Sequence, residues 1–447
     1  TWAQKPRPIL FNTWEAAYFN FNEDRILTMA RQAKDLGAEL LVLDDGWFGK
    51  RNSTKTSMGD WFCNPEKLPH GVDGLARRVH ELGLQFGIWV EPEAISVDSD
   101  LYRAHPEWSL SIPGCHHSLG RNTHLLDLSN PEVVDYLFDV LSKIFAQGVD
   151  YVKWDMNRGM SDVFSTARDA AHMCETGHRF LLGLYDLLAR LTTRFPNILF
   201  ESCASGGNRA DLGILCYMPQ FWASDNSDAL CRMQIQTNYT YGYPLSVLGC
   251  HVSAVPNHQT MRETPVSTRY EVAAFGLLGY ELDPGKLSED DLTDIAQQIA
   301  HYKQLREWSF FGEVDRLQTG DRGYYSLQLT SPDGEHAAVV TFQEIYRSGR
   351  PMYVLRARGL QGEAMYEVRN RPCMMNVKPI SGRFITIASA TGYTRMPRET
   401  EHYFLPGDLI AESGIRLKSD FNGHNLDEDT RYYPDYATRM YEFMLVK

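Results

Sequence analysis

Six consecutive residues, Lys153-Trp154-Asp155-Met156-Asn157-Arg158, place two bases, an indole, an acid and an amide directly after the apolar run Gly148-Val149-Asp150-Tyr151-Val152. An apolar run that turns abruptly into charged side chains reads as the C-terminal end of a buried strand entering a loop, where α/β barrels keep their chemistry. Asp155 is therefore the first candidate for a catalytic carboxylate. The plainer alternative is a solvated strand end at which Lys153, Asp155 and Arg158 only pair with one another. Comparable sets recur along the chain. Trp14-Glu15 follow the run 9–12, Asp44-Asp45-Gly46-Trp47 follow 40–43, and Trp89-Val90-Glu91-Pro92-Glu93 close 86–90. Cys203-Ala204-Ser205-Gly206-Gly207-Asn208-Arg209 follow 198–202, and Ser224-Asp225-Asn226-Ser227-Asp228 follow 221–223. Gathered on one rim, alternating carboxylates and tryptophans suit a sugar: acids accept from hydroxyls while indole faces cover C–H faces.

Such a rim needs parallel strands that all end on one side. Runs 9–12, 40–43, 86–90, 151–154, 198–202, 221–223, a poorly defined segment at 245–251, and 272–275 supply eight candidates, the barrel number. Between them, spaced apolar residues over 24–36, 72–82, 131–146 and 178–194 predict amphipathic helices, and Gly37, Gly83 and Gly148 stand where C-caps belong. After a helical stretch at 288–308 the texture changes. Short runs at 324–329, 337–342, 352–357, 364–368, 403–404 and 409–410 are separated by Asp-Gly, Ser-Gly and Pro-Gly turns, the pattern of a β-sandwich. The expected fold is α/β: a (β/α)8 TIM barrel over 1–312 and a smaller antiparallel β-sandwich over 313–447, with the acidic stretch 420–435 as a surface loop.

The 447-residue length accommodates two such domains, and 43% hydrophobic with 23% charged residues is ordinary for a packed soluble protein. A net charge of −13 argues against nucleic acid or an anionic membrane as partner, since both require a basic face. No apolar run approaches the roughly 20 residues that span a bilayer. Aromatic residues at 12% favour stacking on a neutral ligand. Eight cysteines without CxxC spacing read as scattered thiols of a reducing, cytoplasmic setting. The chain starts without Met, just before a strand-like run, so upstream domains are expected to be missing.

The motifs Leu43-Asp44-Asp45-Gly46-Trp47, Gly59-Asp60-Trp61, Trp89-Val90-Glu91-Pro92-Glu93, Lys153-Trp154-Asp155-Met156-Asn157-Arg158, Glu201-Ser202-Cys203, Ser224-Asp225-Asn226 and Pro256-Asn257-His258-Gln259-Thr260 closely resemble the catalytic domain of bacterial α-galactosidases of glycoside hydrolase family 36. The likeness runs in unbroken order from about Arg7 to Asp283. In that family a large β-sandwich domain precedes the barrel, and members are often tetramers. The resemblance implies a retaining mechanism with Asp155 as nucleophile and Asp225 as acid/base, no metal and no other cofactor, and an α-galactoside as substrate. It further implies that Asp44 and Asp45 accept from sugar hydroxyls, that Trp89 packs on the ring, and that Arg121 and Lys153 bind hydroxyls. Cys203 and Gly206 would line the space near C2, with Asn157 and Trp222 also in the substrate site.

The loop Cys203-Ala204-Ser205-Gly206-Gly207-Asn208 departs from the family's run of consecutive glycines, so an α-N-acetylgalactosaminidase or α-galactosaminidase is the alternative to an α-galactosidase. Asp225 is favoured over Asp228 as second carboxyl because it directly follows its strand. Of Glu91 and Glu93, flanking Pro92, one should face the barrel mouth and the other be structural. His116-His117 and the pair His251 and His258 have no acid or Cys at ligand spacing and read as hydrogen-bonded or solvated histidines. Two other classes compete: a metal-dependent barrel enzyme using Asp44, Asp45 and histidines, and a sugar-binding module that would need no Asp155–Asp225 pair.

Overall fold

In a computed structural model of the chain, residues 2, 5–118, 120–317, 323–345, 347, 353–377, 394–417 and 435–446 are described. Eight parallel strands close a barrel: β1 (Leu10–Asn12), β2 (Leu40–Leu43), β3 (Gln85–Val90), β4 (Tyr151–Trp154), β5 (Leu199–Ser202), β6 (Gln220–Trp222), β7 (Leu248–Ser253) and β8 (Leu277–Glu281). The ring order is β1-β8-β7-β6-β5-β4-β3-β2. Strand β1 aligns Leu10 with Leu40 on one side and with Gly279 on the other, so the first and last strands lock the ring. Leu40-Leu41-Val42-Leu43 is buried throughout, as a parallel strand covered on both faces must be.

Several helices begin where side chains can take up free backbone N–H groups. For α1 (Glu23–Asp35), Asn22 accepts from Arg25 N; for α3 (Pro131–Phe145), Asn130 accepts from Glu132 N ahead of a proline at the first helical position. Gly37, at φ +97°, ends α1 in the left-handed conformation that a Cβ disfavours, and the chain enters β2 three residues later. Helices α2 (Gly71–Glu81) and α4 (Thr176–Arg194) fall where the periodicity places them.

Two barrel segments differ from expectation. Residues 272–275 do not form the last strand: 272 and 273 end α6 (Val266–Ala273), which follows α5 (Ala229–Tyr239), and the strand is Leu277–Glu281. All eight α6 residues are buried, the polar Ser267, Thr268, Arg269 and Glu271 among them, so no solvent face sets the helical period and the apolar run that ends the helix looks like a strand. The segment 245–251 opens as a 3₁₀ turn, Leu245–Val247, before β7 starts at Leu248.

After α7 (Glu289–Ser309) comes an antiparallel six-stranded sheet made of β9 (Glu313–Arg316), β10 (Tyr324–Thr330), β11 (His336–Gln343), β12 (Met365–Asn370), β13 (His402–Pro406) and β14 (Ala437–Leu445). Its order is β9-β10-β11-β14-β12-β13, and two short ribbons, Val354–Leu355 with Ile415–Arg416 and Met374–Val377 with Thr394–Pro397, accompany it. Val339, Tyr366, Val368, Tyr441 and Phe443 belong to its core. Residues 409–410 lie in the helix Gly407–Glu412 rather than in a strand, since Pro406-Gly407-Asp408 starts a helical turn. Residues 420–434 of the expected acidic loop lie outside the described residues. Backbone contacts divide the chain into two compact units, Thr1–Asp225 with Gly279–Leu287, and Asn226–Leu278 with Ser288–Lys447. Among the described residues no helix is long and apolar enough to cross a membrane.

Candidate active site

Asp44, Glu91, Asp155 and Cys203 directly follow the ends of β2, β3, β4 and β5. Asp44 comes one residue after β2 and is 3% exposed. Its Oδ2 accepts from Lys153 Nζ at 2.8 Å and from Asn12 Nδ2 at 2.8 Å, while Oδ1 accepts from Asp45 N at 2.8 Å. Burial alone would lower the Lys153 ammonium, but the carboxylates around it, Asp44 foremost, hold it well above its ordinary value. Lys153 is therefore a fixed cation on the barrel rim. Asp45 faces Arg51, which donates from Nε and Nη2 to the two carboxylate oxygens at 2.9 Å each. Burial still raises the Asp45 carboxyl above its usual range, against the pull of Arg51.

Asp155 follows β4 and accepts three hydrogen bonds. Trp89 Nε1 donates to Oδ2 at 3.1 Å, Asn157 Nδ2 to Oδ2 at 2.6 Å, and Met156 N to Oδ1 at 2.8 Å. Three N–H donors aimed at one buried carboxyl fix its plane. Trp89 is itself held through its carbonyl by the Trp47 indole N–H at 2.9 Å, and its ring lies parallel to that of Phe48 at 6.2 Å. The expected sugar-packing indole thus also orients the candidate nucleophile through its N–H edge.

Asp225, three residues past β6, accepts from Trp222 Nε1 at 3.1 Å. Its carboxyl is raised above the usual aspartate range, first by burial and then by the Asp155 charge, with Lys153 opposing. Two aspartates with contrasting environments, one surrounded by donors and the other pushed toward its protonated form, are what a nucleophile and an acid require. Asp228 has other duties: its side chain caps α5 by accepting from Cys231 N at 3.2 Å, and it is ion-paired with Arg262.

Gly206, at φ +88°, brings the loop after β5 against the chain carrying Asp225: a Cβ there would lie 2.7 Å from Ser224 Cα and 2.9 Å from Asp225 N. The same loop ties back to β4, because Ser205 Oγ donates to Asn157 Oδ1 at 2.9 Å. Cys203 is buried, and burial together with the nearby Asp155 charge pushes its thiol well above the usual range, which keeps it neutral and a poor nucleophile.

The glutamates flanking Pro92 separate cleanly. Glu93, fully buried, receives Trp154 Nε1 at 2.9 Å and Arg209 Nη1 at 2.7 and 2.8 Å, and is structural. Glu91 receives Asn157 N at 2.6 Å and Asn157 Nδ2 at 2.9 Å, one residue pair away from Asp155. Arg121 stands apart from these bonds, exposed in a left-handed turn at φ +50°. Residues not singled out from sequence also belong here. Arg51 and Asn12 brace the two acids after β2, and Glu281, at the end of β8, adds negative charge felt by Lys153 and Asp225. A correct last strand would have exposed Glu281 as another acid at a strand end. Among the described residues no group of three or more His, Cys, Asp or Glu could hold a metal ion.

Residues 1–312 match the Melibiase family model, and 324–443 match the glycosyl hydrolase family 36 C-terminal domain. The chain belongs to glycoside hydrolase family 36. This family 36 chain is 48% identical over 366 residues to α-galactosidase AgaA of Geobacillus stearothermophilus, which covers 81% of the chain and 50% of AgaA. It is 44% identical over 346 residues to α-galactosidase Mel36A of Lactobacillus acidophilus, covering 77% of the chain and 47% of that protein. The crystal structure of AgaA superposes with a TM-score of 0.87 at 41% identity over 99% of the chain and 56% of AgaA. That of the Lactobacillus brevis α-galactosidase gives 0.88 at 38% identity over 100% and 56%. Variants of AgaA have been crystallised with raffinose and with stachyose. The family 36 chain thus spans about half the length of the curated relatives it matches.

Proposed function

We propose that the chain carries the catalytic machinery of a retaining exo-α-galactosidase that removes terminal, non-reducing α-D-galactose from oligosaccharides of the melibiose and raffinose type. The observation that supports this most is the unequal pair, Asp155 held by three donors and Asp225 raised by burial beside it. In the first step an Asp155 oxygen bonds to the anomeric carbon while the glycosidic bond breaks and Asp225 gives its proton to the leaving oxygen. In the second, water gives its proton to Asp225 as it attacks the same carbon; the ester bond breaks, Asp155 is freed as carboxylate, and galactose departs with its α configuration kept. Asp44, Lys153, Asp45, Cys203, Trp222 and Arg121 would surround the sugar, and no metal takes part.

Relatives that are α-galactosidases, two of them variants holding raffinose or stachyose, support the choice of sugar. The loop bearing Ser205 and Gly206 keeps a second substrate in view, an α-linked 2-amino or 2-acetamido galactoside, because its shape bounds the space near C2. Turnover of p-nitrophenyl α-galactoside beside its 2-amino and 2-acetamido analogues decides: preference for the plain galactoside supports the proposal, and preference for either analogue overturns the sugar assignment. The domain division at 312/313, a homotetramer and a cytoplasmic setting, which eight free thiols favour, complete the proposal.

A further inference from the structure

We infer that Glu91 is a positioning residue for this site: it fixes the amide of Asn157, and through that amide it sets the orientation of the Asp155 carboxyl. The inference rests on the functional reading only for what Asp155 does, and the geometry stands without it.

Glu91, 2% exposed, offers one oxygen to Asn157 N at 2.6 Å and the other to Asn157 Nδ2 at 2.9 Å. The same Nδ2 donates to Asp155 Oδ2 at 2.6 Å, so the two hydrogens of one amide join two carboxyls. From the opposite side Ser205 Oγ donates to Asn157 Oδ1 at 2.9 Å. A flipped amide would press Oδ1 against the Asp155 carboxylate, which has no proton to donate, whereas the Ser205 hydroxyl can serve either orientation, so Asp155 decides which one is kept. Asp155 and Asp45, both negative, act on Glu91, and Arg209 is bound to Glu93. Burial, and then the Asp155 charge, push the Glu91 carboxyl up to about 8. At neutral pH Glu91 therefore keeps its proton and adds no second negative charge beside the nucleophile, while still accepting from Asn157.

Glu91→Gln preserves shape but replaces one oxygen with an NH2 group, which, unlike a carboxyl oxygen protonated or not, has no lone pair to accept from Asn157. Asn157 must turn, and Asp155 loses its shortest hydrogen bond. The primary test is a carbon-13 NMR titration of the Asp155 carboxyl in the intact protein, which needs no substrate. The Asp155 pKa should rise by about one unit in Glu91→Gln and by the same amount in Asn157→Ala. The double variant should shift it no further, because one residue acts through the other. On an α-galactoside, kcat should fall about 10- to 100-fold with KM little changed, and the acid limb of the pH profile should move upward with the Asp155 titration.

An Asp155 titration unmoved by Glu91→Gln, or shifts that add in the double variant, would overturn the inference. If Glu91→Gln does not fold, Glu91→Asp withdraws the same carboxyl by one methylene and must move Asp155 in the same direction. A wild-type protein that turns over no α-galactoside contradicts the functional reading alone, since the titration reports on the positioning regardless.

Discussion

Replacing Gly206 by alanine tests whether close backbone approach holds the acid/base in place. A Cβ at Gly206 would sit 2.7 Å from Ser224 Cα and 2.9 Å from Asp225 N, where ordinary contact begins at 3.4 Å; the shortfalls are 3.4 − 2.7 = 0.7 Å and 3.4 − 2.9 = 0.5 Å. Both obstructing atoms are backbone, so no side chain can swing aside and the chain bearing Asp225 must retreat by about half an ångström. The left-handed φ of +88° adds its own cost. Overpacking of this kind costs about 1–3 kcal/mol and the left-handed residue about 1–2, giving a loss of about 2–5 kcal/mol in denaturant unfolding. Catalytic groups must be held within about 0.5 Å, a limit that shortfalls of 0.5 and 0.7 Å reach or pass, so kcat should drop about 10- to 100-fold. The leaving group then discriminates: raffinose, whose departing oxygen needs a proton, should suffer more than p-nitrophenyl α-galactoside, which needs little. Unchanged stability and kcat would refute the packing argument, and equal losses on both substrates would refute the role given to Asp225.

Other consequences follow from the buried charges. Arg51→Met strips Asp45 of its bidentate partner, so unfolding free energy at neutral pH should drop by about 3–5 kcal/mol. The Asp45 carboxyl is already raised by burial and will rise further, so this penalty should vanish below about pH 4 and grow as pH increases; denaturant melts showing the same gap at both pH values would contradict it. Glu91, raised to about 8 from an unfolded value of about 4.3, keeps a proton in the folded state that the unfolded chain has lost. Stability should therefore fall as pH rises between those values, and Glu91→Gln should flatten that slope; an unchanged slope would show that Glu91 titrates normally. Because Asp44, Asp45 and Asp155 are each engaged by N–H donors or cations, EDTA should leave galactoside turnover unchanged, and a loss restored by a divalent ion would revive the metal-enzyme alternative.

Most of the barrel was legible because its strands are short, apolar on both faces and end in charge. Residues 40–43 and 151–154 read from sequence as they stand in the structure, since the step from Leu43 to Asp44 and from Trp154 to Asp155 marks the strand end. The last strand was not legible: the wholly buried α6 turns no face to solvent even though half its residues are polar, and with the strand misplaced by a few residues Glu281 went unnoticed. β14, Ala437–Leu445, also escaped, because a central strand at the chain's far end carries no turn signal beyond it. Within the site the acids themselves could be read, but not their partners. Nothing in the spacing says that Arg51 embraces Asp45, or that Trp89 and Trp222 each turn an indole N–H onto a catalytic candidate; such pairings join strands more than 30 residues apart or bend within one loop, and only the fold fixes them. The division between Glu91 and Glu93 was likewise open until Arg209 was seen to take one and Asn157 the other.

The central claim, that Asp155 attacks and Asp225 handles the proton, is tested most directly by the anomer formed when azide rescues each alanine variant. Asp225→Ala still forms the glycosyl-enzyme from p-nitrophenyl α-galactoside, and azide, needing no general base, should open it to α-galactosyl azide. Asp155→Ala has no ester to open, so any azide product must come from direct displacement and be the β-anomer. Proton NMR of the products should show this division; the reverse assignment would mean that the two roles are exchanged, and full activity in both variants would place the catalytic site elsewhere.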